Sequence, residues 1–144
     1  MDIQTQKEKR FLKIVAIGMP IMLIIGVIFF GGHIWWSEKL SNPVVRLLES
    51  SEITATICDV KLKEPKRLRK SFDEITTNKN AGSHPLSLEF FVVETEYETY
   101  RLQLGQDSRD DNLFWVYPES GQLNTIVGGY IRSEYLANEY AKCK

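Results

Sequence analysis

The longest apolar run in the chain is Ile14–Trp36, 23 residues that include no Asp, Glu, Lys or Arg. As a helix it would span roughly 34 Å, slightly more than the hydrocarbon core of a bilayer, which is about 30 Å thick. The run lacks the polar face that a core helix of a soluble protein carries. It ends in Trp35 and Trp36, whose indole rings favour the membrane interface. The pattern therefore predicts one transmembrane helix over residues 14–36.

Basic residues on either side of this run predict its orientation. Residues 1–13 form a short tail with four basic and two acidic side chains, whereas only Lys39 and Arg46 follow the run closely. The positive-inside rule therefore places the tail in the cytoplasm and the rest of the chain outside it. A cleaved signal peptide would have an apolar region of about 7–15 residues and a small-residue cleavage site. The sequence favours an uncleaved signal anchor in the inner (plasma) membrane, with a periplasmic or extracellular domain.

Beyond the run, a polar stretch predicts a connector, Ser37–Asn42, before a folded domain over residues 43–144. Asn42 is a suitable N-cap, and Pro43 stands at the first helical position, where its missing N–H costs nothing. Later helices are indicated by apolar residues that recur at helical spacing and by Ser133 as an N-cap. The expected helices cover 43–50, 66–76 and 133–141.

Alternating apolar and polar residues predict strands between these helices. They are expected over 53–62, 86–93, 100–104, 113–117 and 126–131. The side chains expected at the centre of the core are Phe90, Val92, Leu102, Leu104 and Phe114. The order of elements predicts an α+β domain, in which a small antiparallel sheet of about four to five strands has helices packed on one face.

Charge and cysteine content narrow the possible classes of protein. Residues 37–144 carry 14 basic and 17 acidic side chains, so the domain lacks the net positive charge of a nucleic-acid binder. The two cysteines, Cys58 and Cys143, would lie in an oxidising compartment. A C-terminal helix that folds back across the sheet would bring them together. Against this, Cys58 alternates with Ile57 and could face away from that helix, and Cys143 lies next to the chain end, where order is least expected.

Two groups of side chains are candidate contact sites. Six basic residues fall within ten positions, which suits contact with anionic lipid headgroups or an acidic partner, or a solvated helix face. Trp115 and Tyr117 share one strand face, which either binds a partner or lies under a helix. The six basic residues, which we call the basic segment, are Lys61, Lys63, Lys66, Arg67, Arg69 and Lys70.

Four glutamates lie along the first long strand and its turn: Glu89, Glu94, Glu96 and Glu98. They either protect a sheet edge or pair with the basic segment.

No catalytic, cofactor or metal motif stands out. His84 is the domain's one histidine and lies in a polar loop, and it is too far in sequence from Cys58 and Cys143 to resemble a zinc site. The acidic turn over 107–112 lacks the spacing of a calcium loop. The sequence therefore predicts a non-enzymatic, membrane-tethered protein-binding module of the bacterial cell envelope, either an accessory subunit of an envelope complex or an immunity-type inhibitor. Its partners would be the lipid bilayer and an envelope protein. The alternative is a small envelope enzyme or ligand sensor whose pocket the sequence does not reveal.

Overall fold

The computed structural model describes residues 3–77, 82–121 and 127–143, and only the backbone of residues 3–11 and 14. The chain divides into two compact units, Met1–Ile34 and Trp35–Lys144. The first unit is the N-terminal part of helix α1, Ile3–Leu48. Its apolar side chains are exposed, among them Phe29 and Phe30. The predicted long apolar helix is confirmed, and it is long and apolar enough to cross a membrane, while the crossing itself stays a prediction. The basic side chains of the predicted cytoplasmic tail before Leu12 lie outside the described residues.

The separate helix predicted from Pro43 is wrong, because α1 continues without a break to Leu48 and includes the expected connector. Pro43 removes one helical hydrogen bond, but Leu40, Val44 and Leu47 lie on one side of the helix and are buried in the second unit. Packing of this apolar side outweighs the local preference of Pro43 for the first position of a new helix. The Ser37 hydroxyl also donates a hydrogen bond to the Gly128 carbonyl, which joins the same part of α1 to the chain before the last strand.

The second unit is built on a six-stranded antiparallel sheet with the strand order β2-β1-β3-β4-β5-β6. This confirms the α+β class and corrects the expected count of four to five strands. The extra strand arises because the segment predicted as one strand over 53–62 is a tight hairpin that turns at Cys58 and Asp59, both with positive φ (50° and 61°). The strands are β1 (Thr54–Ile57), β2 (Val60–Lys61), β3 (Glu89–Glu94), β4 (Thr99–Gln106), β5 (Leu113–Pro118) and β6 (Gly129–Arg132).

Short helices complete the domain. A 3-10 turn, Pro65–Leu68, leads into α2, Arg69–Asp73, which ends earlier than the predicted residue 76. Thr76 instead forms a bridge with Tyr130, so this segment extends the pairing at the edge of β6. Helix α3, Glu134–Tyr140, starts as predicted: the Ser133 hydroxyl accepts a hydrogen bond from the Leu136 N–H at 3.1 Å. A final 3-10 turn covers Ala141–Cys143.

The main core lies between one sheet face and the helices. Leu102, Leu104 and Phe114 are buried there as predicted, but Phe90 and Val92 are not, and Phe91 and Val93 occupy the core in their place. The facing predicted for β3 was wrong because the strand reads EFFVVE, so both alternating sets of positions are apolar. The helices contribute Leu40, Val44, Leu47, Leu48, Leu68, Phe72, Leu136 and Tyr140 to this core.

Candidate functional site

Trp115 and Tyr117 are buried, with exposed fractions of 7% and 2%. They belong to a second, smaller apolar cluster on the sheet face opposite the main core, together with Leu113 and Tyr130. The Trp115 and Tyr130 rings meet edge to face, with centroids 4.9 Å apart. Both rings therefore fill the interior of the domain, and contact of Trp115 and Tyr117 with a partner stays a prediction.

Asp107 lies beneath this aromatic cluster and is fully buried. One carboxylate oxygen, Oδ2, accepts a hydrogen bond from the Trp115 indole N–H at 2.8 Å, and Oδ1 accepts one from the Arg109 backbone N–H at 2.9 Å. Burial by itself raises the pKa of Asp107, but hydrogen bonds outweigh that effect and hold the pKa below its ordinary value. The donors are the Trp115 and Ser83 side chains and the backbone N–H groups of Arg109 and Asp110.

These contacts give Asp107 a structural role. Asp107 lies in the loop that follows β4, and its carboxylate joins this loop to β5. The hydrogen bonds compensate for the loss of hydration of the buried carboxylate. Next to it, burial raises the pKa of Tyr130 to about 12, with smaller contributions from Tyr117 and Asp107. Asp110 forms an ion pair with Arg132 at 2.7 Å and accepts a hydrogen bond from the Asn112 N–H at 3.1 Å. Within the ranges that the structure covers, no group of three or more acidic, His or Cys side chains could hold a metal ion.

His84 and Ser108 are the closest approach to a catalytic pair. The Ser108 hydroxyl lies 3.3 Å from the His84 Nδ1 atom, but it also accepts the His84 backbone N–H at 3.2 Å. A second bond, from the Ser108 N–H to the His84 carbonyl at 2.9 Å, ties the two loops together. Asp107 directs its carboxylate to Trp115 and cannot orient this histidine. Within the described residues, the geometry is that of a loop contact, and no third group orients the imidazole as in a catalytic triad.

The six residues Lys61, Lys63, Lys66, Arg67, Arg69 and Lys70 are all exposed, and we call them the basic surface. Arg69 forms an ion pair with Glu49 at 2.7 Å. Arg67 lies over the Tyr135 ring at 4.8 Å, and its contact with Glu64 is longer, at 3.5 Å. Among the described residues, Lys61, Lys63 and Lys66 form no ion pair. Lys70 approaches Glu74 at 3.7 Å, so three of the six cations have a carboxylate partner in the described part of the chain and three do not. Each of these exposed pairs contributes only about 0–1 kcal/mol to stability.

The glutamates of β3 and its hairpin do not neutralise the basic surface within the described ranges. Glu98 pairs with Arg46 at 2.6 Å instead, and none of the four reaches a residue of the basic surface. The hairpin tip between β3 and β4 exposes Tyr97 beside them. At the same end of the sheet, Leu40, Tyr100, Arg101 and Glu119 line a groove of about 700 Å³, in which Arg101 and Glu119 approach to 3.8 Å.

Cys58 and Cys143 are joined by a disulfide, with Cα atoms 5.7 Å apart. Cys58 stands in the β1–β2 turn, where its positive φ directs the chain into the hairpin, and Cys143 ends the final 3-10 turn. The doubt about facing is resolved by this turn, since Cys58 no longer continues the alternation of β1. The bridge thus holds the C-terminus against the sheet edge that leads into the basic surface.

A further surface was missed by sequence reasoning because it depends on the facing of β3. Phe90 is half exposed on the sheet face opposite the main core. Strand register places Thr56, Val92 and Arg101 in one row across three strands, and Phe90 opposite Gln103 in the next. We call these five residues the open face. The run FFVV in β3 was the one sequence signal of this surface, because it places apolar residues on both faces of the strand and leaves its facing ambiguous.

No protein-family model, curated protein or solved structure matches the chain.

Proposed function

We propose that the chain is a non-enzymatic binding module tethered in the inner (plasma) membrane of a bacterial cell, and that its basic surface recognises an acidic protein of the envelope. It would serve as an accessory subunit of an envelope complex or as an immunity-type inhibitor. The observation that carries this proposal is the group of exposed lysines, Lys61, Lys63 and Lys66, which form no ion pair among the described residues. They stay uncompensated in a domain that holds more acidic than basic residues.

Membrane tethering and an outer location are supported by independent features. The apolar helix has the length of a membrane span, and the basic residues that precede it favour a cytoplasmic N-terminus. A disulfide is typical of a compartment outside the cytoplasm. A fusion reporter placed after Lys144 tests this topology. It should work only if it functions outside the cytoplasm, and activity of a cytoplasmic reporter at that position would reverse the orientation.

The spacing of residues along α1 favours a protein partner over lipid headgroups. One residue of the basic surface, Arg69, binds Glu49, which directly follows the C-terminal end of α1. With Trp35 at the outer headgroup level, that end lies roughly 20 Å farther along the helix. The electrostatic screening length at physiological salt is about 8 Å, so anionic headgroups would attract these cations only weakly. An acidic protein can approach them directly and gain from electrostatic steering.

Charge variants of the full-length protein test the proposal. Replacing Lys61, Lys63 and Lys66 together with Glu should abolish recovery of the partner after crosslinking in native membranes, because the field at the contact changes sign. The matched control replaces the same three residues with Arg and should keep recovery. Equal recovery from both variants would refute the assignment of the basic surface.

Two further measurements separate the rival explanations. A fluorescent amino acid at position 66, in nanodiscs of anionic lipid, should escape quenchers attached to the headgroups, and strong quenching would assign the surface to lipid instead. Labelling of Ser108 by a fluorophosphonate would favour the small-enzyme alternative. The loop contact between Ser108 and His84 predicts that no such labelling occurs.

A further inference from the structure

Phe90 is an unusual residue to leave half exposed in the middle of a sheet. It occupies the second position of the inner strand β3, where it pairs with Gln103 of β4 on one side and accepts a hydrogen bond from the Cys58 N–H of the β1–β2 turn on the other. Its exposed fraction is 50%, whereas its neighbour Phe91 is fully buried. Apolar surface that stays in water is unfavourable, and a phenylalanine ring contributes a large area. A partner that covers this ring would gain the corresponding free energy.

The exposure is local to one part of the sheet face. The Trp115 and Tyr117 side chains of β5 lie on the same face of the sheet, and they are almost fully covered. The turn after Ser83 contributes to this cover, since a Cβ at Gly105 of β4 would lie 2.7 Å from the Pro85 side chain. On β3, in contrast, Phe90 is exposed and Val92 is partly accessible. The described residues thus cover the β5 part of this face and leave the β3 part partly accessible.

Cations border this apolar surface. Lys61 pairs with Thr56 across β1 and β2, and Thr56 pairs in turn with Val92, which pairs with Arg101. Directly paired residues point to the same side of a sheet, so Lys61 and Arg101 lie at the two ends of one row with Val92 between them. Arg101 forms an exposed ion pair with Glu119 at 3.8 Å, whereas Lys61 has no ion pair in the described part of the chain. Because Lys61 is also part of the basic surface, the two surfaces are continuous around the edge strand.

From this juxtaposition we infer that the open face is the docking site for an acidic segment of the envelope partner, in which carboxylates flank an apolar side chain. The inference rests on the proposed function and adds the site and the chemistry of the segment. The apolar side chain packs on Phe90 and Val92, while the carboxylates meet Lys61 and Arg101. Aromatic side chains at the centre of a contact with charged groups around them are the usual energetic hot spots of interfaces.

Addition of a partner strand to the sheet edge is a poorer explanation. The edge strand β2 has only two residues, Val60 and Lys61. So short a strand offers few backbone groups to an incoming strand, and an edge lysine discourages pairing. Beside β2, the face of the sheet and not its edge is therefore the better contact surface. A second copy of this chain is the competing occupant, since its hairpin tip exposes Tyr97 between Glu96 and Glu98.

A photocrosslinking amino acid in place of Phe90, in the full-length protein in native membranes, tests this inference. The expected adduct joins position 90 to a different protein at a segment rich in Asp and Glu, identified by mass spectrometry of the crosslinked peptide. It should disappear with Lys61→Glu and persist with Lys61→Arg. The matched position is 97, an exposed aromatic residue off the open face, which should give no adduct with that segment. An adduct with a second copy, with lipid, or with a segment that lacks acidic residues overturns the inference.

The same samples distinguish failure of this inference from failure of the proposed function. A crosslinker at position 66 that captures the acidic partner, with none captured from position 90, would retain the function and reject the docking site. No capture of such a partner from either position would reject both. Once the partner is identified, Phe90→Ala should weaken its binding about 30-fold or more, as expected of a hot spot, whereas Tyr97→Ala should change it less than about threefold. Similar losses from the two variants would also reject the docking site.

Discussion

Phe90 and Phe91 are adjacent in sequence and chemically identical, and the structure predicts very different consequences of removing each ring. Phe91 is fully buried and stacks on Phe72 of α2, with ring centroids 5.5 Å apart and planes inclined by 18°. Phe91→Ala should reduce the free energy of unfolding by about 3–5 kcal/mol, since it removes apolar burial and leaves a cavity. Phe90→Ala should cost about 1 kcal/mol or less, because half of its ring is already in water and no cavity forms.

The difference is large compared with the total stability of a domain of this size, which is about 5–15 kcal/mol. With an m-value of about 2 kcal/mol/M in urea, a loss of 4 kcal/mol lowers the unfolding midpoint by about 2 M. The measurement is a urea titration of the full-length protein in detergent, followed by tryptophan fluorescence. Replacing Trp35 and Trp36 with Phe leaves Trp115, which is buried in the folded domain, as the reporter.

A double-mutant cycle makes the test specific to the observed contact. Phe72→Ala and Phe91→Ala together should show a coupling free energy of about 0.5–1.5 kcal/mol, as for other stacked aromatic pairs. Equal losses from Phe90→Ala and Phe91→Ala, or a larger loss from Phe90→Ala, would refute the facing assigned to β3. That result would also remove the basis for the open face.

The remaining predictions concern the bridge, two buried ionisable groups and one close contact. Cys58→Ser combined with Cys143→Ser should reduce the free energy of unfolding by about 4.5 kcal/mol in the chain-entropy model, because the bridged residues are 85 positions apart. Urea unfolding measures this loss, and the reduced wild-type protein should show the same loss as the double variant. Because the pKa of Asp107 is lowered by folding, its stabilising effect is present above the unfolded-state pKa of about 4 and is lost as the pH falls below it, so Asp107→Asn should flatten the acid dependence of thermal melts in that range. Tyr130 has its pKa raised from 10.0 to about 12, so its contribution is complete below pH 10 and is lost as the pH rises to 12, and Tyr130→Phe should reduce alkaline unfolding measured by circular dichroism. Gly105→Ala should loosen the segment over residues 85–88, because the new Cβ would lie 2.7 Å from the Ser87 carbonyl oxygen. Hydrogen exchange at the Leu86 N–H, which donates to the Gln106 carbonyl, should then accelerate. Unchanged exchange would contradict the close packing.

Sequence patterns were sufficient where a single physical effect dominates. The apolar run near the N-terminus predicts its helix because 23 residues without charge have no other stable state near a bilayer. Ser133 predicts the start of α3 because its hydroxyl can satisfy an N–H that the helix leaves free. Alternation in β4 predicts the core positions Leu102 and Leu104, since only one set of its positions is consistently apolar.

Tertiary structure decided the features for which local signals conflict. Pro43 favours a helix start, yet α1 passes through it because the apolar side of the helix packs on the sheet. The 53–62 segment alternates like one strand, yet it turns at Cys58, where the resulting hairpin meets Cys143. A local sequence pattern contains no information about the distant residues whose packing stabilises one local conformation over another.

The candidate contact surfaces show the same division. The sequence by itself determined that six basic residues stand close together, because their charges make burial costly and keep them at the surface. It could not determine that Trp115 and Tyr117 are covered while Phe90 is open, since both faces of β3 and β5 are apolar in sequence. Only the tertiary structure assigns a face to each ring, because burial depends on which segments cross the sheet and where that cover ends.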